Sequence, residues 1–326
     1  MKIFTRLFLS FTLLLTLLLL SNCRVDVSGV DPILVSISPQ PSAVEFIEDN
    51  QDLTKLDTVM STTAWVQNIM TTDSFTFFAP TNEAFDSVLI ENEVSSVNDI
   101  PAEIIIDLLN YHLVKDTGYI LRDTFTEFIP TTFMSSFGGA NSLFVKTEGG
   151  IRINGERKVA LQDVRLQNSV LHLMVKIATP IDLVAIIGAH PELTTLDDLL
   201  EREDMESVVN ELSGDGPFTI FAPSDSAFIR LFLDLEVNNL NQIPADTLES
   251  LLLAHIIPAE NLRAESLIPS SQISTLLPNQ ALTIGITNNI LNVSDNNNEA
   301  ANLISTDGQG SNGVIHVIDR VLLPIN

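Results

Sequence analysis

The sequence predicts an α+β fold that is built twice, because three blocks of the first half return in the second half. The blocks begin at Phe75, Ile100 and Val170, and read FTFFAPTNEAF, IPAEIIIDLLNYH and VLHLMVKIATP. Their counterparts begin 143, 143 and 144 positions later. A shared order and a period of roughly 145 residues indicate a duplicated domain rather than a solenoid. Helical patterns open each copy and short β-branched runs close it, which favours α+β over alternating α/β.

The N-terminal residues 1–22 are typical of a secretory signal. Lys2 and Arg6 form a basic region, and the uncharged run that follows is shorter than the roughly 20 residues that span a bilayer. The run leads to Cys23, the only cysteine. It resembles the lipobox of bacterial lipoproteins, whose cysteine carries the lipid, although Asn22 stands where that family has a small residue. The alternative is an ordinary signal peptide cut nearby, which leaves a free cysteine.

These features predict the domain organisation. Cys23 is the expected lipid attachment site, residues 23–40 form a tether, and residues 41–181 and 182–326 form the two domains, called here the first and second copy. We expect an exported protein that is anchored by its lipid, at the bacterial outer membrane or the cell surface. A single cysteine allows no internal disulfide, so the hydrophobic residues, 45% of the chain, must hold each copy together.

The charge balance excludes one class of partner. The chain has 42 acidic and 16 basic residues, for a net charge of −26. Nucleic acid is excluded as a partner because phosphate binding needs basic patches. An anionic membrane surface would also repel the protein, so the lipid is expected to provide the anchor.

The repeated blocks predict their own local structure. Phe75 opens an alternating aromatic strand that ends at Pro80, and Thr81 follows as a predicted helix N-cap. The second block opens a helix at Pro101 and, in the second copy, at Pro244. The predicted inward face of this helix consists of Ile104, Leu108 and Leu109 in the first copy, and of Leu248, Leu251 and Leu252 in the second.

The repeated pattern F-x-x-F-A-P-[ST]-[ND]-x-A-F and the closing run from Asn312 to Asp319 resemble the fasciclin (FAS1) domain family. The first copy departs from the closing run at Ser169, where the second has Gly313, so we expect a different turn there. The resemblance covers about residues 42–326. It implies a wedge-like β-structure with packed helices, export or membrane anchoring, and a role in adhesion, with no cofactor and no enzymatic activity.

The histidines give the candidate site. His112 and His255 are equivalent positions, as are His172 and His316, while His190 has no counterpart; none has metal-ligand spacing. A hydrogen-bonded core or rim position is expected for His172 and His316. The resemblance links Tyr111-His112 to partner binding, and His255, which follows Ala254, keeps only the imidazole. Structural packing of the Tyr-His pair is the alternative.

Two further motifs are interpreted as turns. Gly308, Gly310 and Gly313 satisfy G-x-G-x-x-G, but a strand rather than a helix follows them. The run from Asp295 to Glu299 resembles the start of a calcium loop but lacks the glycine and the acidic twelfth ligand. Weak surface cation binding is the alternative there, and we predict no metal site.

Three functions remain at this point. The first is a lipid-anchored, non-catalytic adhesion or interaction protein whose partner is a protein or polysaccharide of the cell surface or matrix. The second is a surface carbohydrate-binding lipoprotein, although Trp65, Tyr111 and Tyr119 are few aromatic platforms for sugars. An acid-pair glycosidase is the third, and the sequence singles out no such pair.

Overall fold

Nine helices and fourteen strands make up the described part of the chain in a computed structural model. The described residues are 40–63, 74–116, 118–121, 125–156 and 158–324. The predicted signal, Cys23, the tether up to residue 39 and Trp65 lie outside them.

A helical layer opens each copy. The first copy contains α1 (Ala43–Asp49), α2 (Thr54–Thr63), α3 (Asn82–Glu91) and α4 (Ala102–Tyr111). The second contains α5 (Leu183–Ala189), α6 (Thr194–Leu200), α7 (Glu206–Leu212), α8 (Asp225–Asp234) and α9 (Ala245–Ala254). Ser42 begins α1 with a capping box, in which its hydroxyl and the Glu45 carboxylate each accept a backbone N–H.

The strands lie mostly after the helices, which confirms the predicted α+β class. Those of the first copy are β1 (Phe75–Pro80), β2 (Leu113–Lys115), β3 (Thr126–Met134), β4 (Ala140–Lys146), β5 (Arg152–Ile153), β6 (Val159–Arg165) and β7 (Ser169–Met174). Those of the second are β8 (Phe218–Pro223), β9 (Ile256–Pro258), β10 (Gln272–Ser274), β11 (Ala281–Thr287), β12 (Ile290–Ser294), β13 (Ala300–Gln309) and β14 (Gly313–Ile318).

The two copies share a central parallel strand pair, β1 with β7 and β8 with β14, inside otherwise antiparallel sheets. The second copy forms one sheet in the order β10-β11-β12-β13-β14-β8-β9. The first copy divides the same plan into β2-β1-β7-β6 and β3-β4-β5. Pairing of β12 with β13 joins the second sheet, whereas β5 pairs with β4 and makes an isolated bridge inside its own turn, between Ile153 and Glu156.

The central pair is buried on both faces. All six residues of β1 and of β7 are buried, and side chains alternate between two core clusters. Phe75 and Phe77 point into the cluster under the helices, while Phe78 points into the cluster against β3 and β4. The second copy repeats this division with Ile220 and Phe221. Double burial explains the near-continuous apolar runs, because a strand covered on both faces needs no polar side.

Two local expectations were correct only in part. Thr81 occupies the N-cap position of α3, but its hydroxyl donates to the carbonyl of Met174 at 3.0 Å instead of capping the helix. Ser224, its counterpart, does cap α8. The core face of α4 is carried by Ile105 and not by Ile104, which is 56% exposed. One position rotates a helical residue by about 100°, so Ile104 points to solvent, while Leu109 is buried and Leu108 half-buried on the core side as predicted.

The closing turn differs between the copies, as predicted. Gly313 has φ 158°, and a Cβ there would lie 2.1 Å from the carbonyl oxygen of Phe218. A side chain is therefore excluded at Gly313 without a backbone shift. Ser169 has a negative φ, so the turns differ at this residue, but both keep the backbone bond to its carbonyl, from Leu166 at 2.9 Å and from Gly310 at 2.8 Å.

The two copies contact each other through the β3–β4 region and β13. Phe128 packs against the core cluster of the second copy. The Ser142 hydroxyl donates to the carbonyl of Asp307 at 3.3 Å and accepts the backbone N–H of Gln309 at 3.2 Å. The contact therefore combines a buried aromatic ring with hydrogen bonds to strand backbone.

We predict that the copies nevertheless fold separately. Residues 40–182 and 181–326, expressed alone, should each show a cooperative urea transition. Each free energy of unfolding should be roughly 1.5–3 kcal/mol lower than in the pair, because Phe128 and its contact surface become exposed. If neither half unfolds cooperatively by circular dichroism, the predicted boundary is wrong.

Candidate functional site

The predicted partner-binding side chains lie in the interior. Tyr111 is 1% exposed, His112 is fully buried and His255 is 1% exposed. Partner binding by direct contact would need these side chains at the surface, and Tyr111 and His112 are not there. The reason is that β3 and β4 cover the C-terminal end of α4, where Tyr111 lies. Their contribution to partner binding stays a prediction.

His112 and His255 connect helix ends to the strands. Nδ1 of His112 lies 2.7 Å from the carbonyl oxygen of Leu108, and its Nε2 accepts the backbone N–H of Ala178 at 3.0 Å. His255 makes the equivalent two bonds at 2.7 and 2.9 Å. Because Nε2 accepts, the proton lies on Nδ1 and the imidazole is neutral. Each ring ties the end of α4 or α9 to the segment that follows the central strands.

Both imidazoles resist protonation. Burial lowers the pKa of His112 and that of His255 to about 4, from an ordinary value of 6.5. The bond to the carbonyl of Leu108 opposes the effect in His112, while the nearby Lys158 ammonium adds to it. A protonated ring could no longer accept the Ala178 N–H, so the neutral form is the one the fold requires.

Tyr111 links this position to the contact between the copies. Its hydroxyl donates to the carbonyl of Ser142 at 2.9 Å and accepts an N–H of the Asn154 side chain at 2.9 Å. Its ring meets His112 and Phe133 edge-on, with 6.2 Å between centroids in each pair. Burial raises the pKa of Tyr111, so the phenol stays protonated as the donor. Tyr111 thus holds the backbone of Ser142, and the hydroxyl of Ser142 in turn bonds to β13.

His172 and His316 are hydrogen-bonded in the core, as expected. Nδ1 of His172 accepts the backbone N–H of Asp163 at 3.1 Å, and Nε2 lies 3.1 Å from the carbonyl oxygen of Tyr119. Asp163 has φ 59° at a bulge between β6 and β7. Its carboxylate accepts the N–H of Leu121 at 2.7 Å. His316 repeats the arrangement beside a bulge residue with φ 62°.

His190 lies at the contact between the copies. Its ring stacks on Phe144, with centroids 4.9 Å apart, and lies 5.8 Å from Phe128. Its Nδ1 accepts the N–H of Glu192 at 3.2 Å. Burial lowers the pKa of His190 to about 4. A cleft of about 450 Å³ opens beside the ring, with Glu127 and Glu192 on its lining.

The glycine motif that ends at Gly313 and the run from Asp295 to Glu299 form turns. Gln309 lies between Gly308 and Gly310, and its side chain donates to the carbonyl of Gly313 at 2.9 Å, which closes the turn before β14. Asp295 accepts backbone N–H groups within its own turn, and its second oxygen accepts the N–H of Leu323 at 2.9 Å. These carboxylate contacts stabilise the turn and the segment after β14.

Neither a metal cluster nor a spanning helix occurs in the part of the chain that the structure describes. In those residues, groups of three or more His, Cys, Asp or Glu side chains that could hold a metal ion are absent. The helices there are all too short or too polar to cross a bilayer.

Sequence reasoning missed Ser142, Asn154 and Phe128. Their importance depends on contacts between residues far apart in the chain, and their types are common in strands and turns. A partial signal existed for Asn82 and Asp225, the equivalent positions after the Phe-Ala-Pro motif. Each side chain accepts a backbone N–H at the start of a neighbouring helix, α2 or α6, at 2.9 and 2.7 Å.

Acid should destabilise the protein through the buried histidines. The folded pKa of His255, about 4, lies below the unfolded value of 6.5, so unfolding takes up a proton in that window. Stability from this group is complete above pH 6.5 and is lost as the pH falls toward 4, by about 1.4 kcal/mol per pH unit. His255→Gln should reduce that slope by about one proton while costing roughly 2 kcal/mol at pH 7.

The check is a urea titration at several pH values between 4 and 7. His112→Gln is the matched variant and should behave alike in the first copy. An unchanged pH slope in both variants would contradict the assignment of neutral, accepting imidazoles.

Comparison with known proteins agrees with the duplicated fold. The family model described as "Fasciclin domain" matches residues 51–180 and 191–324. The transforming growth factor-beta-induced protein ig-h3 of Sus scrofa is 28% identical over 255 residues, which cover 77% of this chain and 35% of that protein. Protein sll1483 of Synechocystis is 32% identical over 142 residues, which cover 44% of this chain and 73% of that protein. This chain thus spans about a third of the length of its porcine relative.

A solved structure shares the architecture of the pair. It is the FAS1 domain pair from the insect cell adhesion molecule Fasciclin I, with a TM-score of 0.52 and 20% sequence identity. The similarity covers 83% of this chain and 97% of the insect chain. With two family matches that together cover most of the chain, the protein belongs to the fasciclin domain family.

Proposed function

We propose that the protein is an exported, lipid-anchored adhesion or interaction protein made of two fasciclin domains, and that it is not an enzyme. The observation that carries the proposal is the pair of complete fasciclin domains in one chain. The similar domain pair of Fasciclin I comes from a protein described as a cell adhesion molecule. The partner we propose is a protein or polysaccharide of the cell surface or matrix.

The chemistry of the buried histidines supports a non-catalytic role. Each of the four repeat-related rings, His112, His172, His255 and His316, has both nitrogens at hydrogen-bond distance from the protein backbone. A general base needs a nitrogen free to accept a substrate proton. These rings therefore act as structural links rather than as bases.

We propose Cys23 as the anchor, at the outer membrane or cell surface of a bacterium. Cys23→Ser should release the protein from the membrane fraction into the soluble fraction, because the substitution removes the thiol that would carry the lipid. Fractionation followed by immunoblotting measures the distribution. The matched control is Ser21→Ala, which changes the same segment and keeps the thiol. If the exported Cys23→Ser protein stays with the membrane, the attachment is not through this cysteine.

We propose that Tyr111, His112 and His255 contribute to partner binding by positioning rather than by contact. All three are buried, so a partner does not reach them without rearrangement. Tyr111 instead fixes Ser142, whose hydroxyl bonds to β13 of the second copy. The surface that a partner meets across both copies would then depend on this link.

Tyr111→Phe tests the link by removing only the hydroxyl. We expect a free energy of unfolding about 1–3 kcal/mol lower, since Asn154 loses one partner, with weaker retention of the protein on envelope and matrix fractions. Tyr119→Phe, which removes a hydroxyl elsewhere in the first copy, is the control. A folded Tyr111→Phe protein that binds as tightly as the natural one would make the tyrosine purely structural.

A further inference from the structure

A groove of about 290 Å³ lies in the first copy, between α3 and the neighbouring ends of β6 and β7. Lys158 stands just before β6 and Lys176 just after β7, and both line the groove. The opposite wall is one face of α3, made of Ala84, Ser87, Val88 and Glu91. The volume is that of about ten water molecules, which is enough for one sugar ring.

Lys158 is unusual because it is charged, buried and weakly bonded. The residue is only 6% exposed. Among the described residues its ammonium makes one hydrogen bond, a long one of 3.3 Å to the carbonyl of Ile177. An ammonium has three donors, so two are left for water or a ligand. Burial lowers the pKa of Lys158, Glu156 opposes this effect and Lys176 adds to it.

The second copy shows that the fold does not need a lysine there. The backbone bond from Val175 N–H to the Lys158 carbonyl corresponds to the one from Asp319 to Asn302, at 2.8 and 3.1 Å. In the second copy the Asn302 backbone and side-chain N–H groups both bond to the Asp319 carboxylate at 2.8 Å. The first copy has exchanged the amide for a lysine and the carboxylate for Val175. At this position the first copy therefore has a cation and no carboxylate equivalent to that of Asp319.

We propose that this groove binds the carboxylate of a sugar acid, a uronate. Lys158 and Lys176 supply the positive charge for the carboxylate, because charge-assisted hydrogen bonds are the strong ones. Glu91 and Glu156, also on the lining, accept hydrogen bonds from hydroxyl groups, which a sugar ring provides and a simple fatty acid does not. Val88 offers an apolar surface to the face of the ring.

The net charge of the chain does not prevent this binding. At physiological ionic strength charges are screened over about 8 Å, so the carboxylates outside the groove act weakly on the ligand, and the local balance is two lysines against Glu91 and Glu156. Lys176 also forms an exposed ion pair with Glu156 at 3.5 Å. Exposed pairs of this kind are weak, so a uronate can displace the Glu156 contact. The proposal does not depend on the adhesion role.

The test is calorimetric titration of the purified full chain in chloride buffer with galacturonate, galactose and acetate. We expect a dissociation constant on the order of 1 mM for galacturonate and at least tenfold weaker binding of the two other ligands. Lys158→Met should weaken galacturonate binding at least tenfold. Lys158→Asn, which copies the second copy, and the exposed Lys176→Ala keep the test valid if the first variant folds poorly. Lys115→Met, on β2, is the control and should bind normally.

Several outcomes would overturn the proposal. They are no heat at roughly twenty times the expected dissociation constant, equal binding of galactose or acetate, and unchanged binding by all three groove variants. A trigalacturonate titration distinguishes the sources. If trigalacturonate binds more tightly than galacturonate, the uronate belongs to a polysaccharide. If the two bind equally, the ligand is a free sugar acid. If these titrations fail while adhesion is normal, only the proposed uronate binding in the groove is overturned.

Discussion

The parallel pairing of β1 with β7, and of β8 with β14, is the interaction on which the rest of each copy depends. These strands are buried along their whole length, with helices packed in the cluster on one face and outer strands in the cluster on the other. Parallel neighbours cannot be joined by a tight turn, and the chain between them forms the intervening helices and strands of the copy. A duplicated domain therefore keeps the motifs at the two ends of this connection, Phe-Ala-Pro and the closing strand, more faithfully than what lies between.

Burial of both faces keeps water away from nearby backbone N–H and carbonyl groups, and the histidines supply hydrogen-bond partners for them. His172 and His316 lie on the central strands beside Phe78 and Phe221, and their ring nitrogens bond to bulge and loop backbone. His112 plays a similar part at the end of α4. Buried backbone groups without partners would cost the fold about 1–3 kcal/mol each. The imidazole suits this position because one ring serves as donor and acceptor at the same time, provided that it stays neutral.

The local parts of the fold could be predicted from the sequence, whereas contacts between distant segments could not. Alternation identified β1 and β8, and the proline rule identified the starts of α4 and α9. One residue of the inward face of α4 was misassigned, because Ile104, Ile105 and Ile106 are consecutive isoleucines and composition does not say which of them faces the core. The candidate pair Tyr111-His112 was found, but its burial depends on β3 and β4 folding back over α4, which no local pattern records. His190 shows the same limit, since its aromatic partners lie in the other copy.

The duplication acts as a control within the molecule, because a position that differs between the copies is not required by the fold. Tyr111 is replaced by Ala254, Lys158 by Asn302, and His190 corresponds to Asn50, whose side chain also accepts a backbone N–H two residues later. Tyr111 and His190 lie at or behind the contact between the copies, and Lys158 lines the groove beside α3. The turn at Asn50 and at His190 needs only a hydrogen-bond acceptor, which an amide also provides. The imidazole of His190 is therefore explained by its stacking against Phe144 and Phe128. These three differences thus lie where one copy meets the other or faces an open groove, and the shared histidines mark links that both copies use in folding.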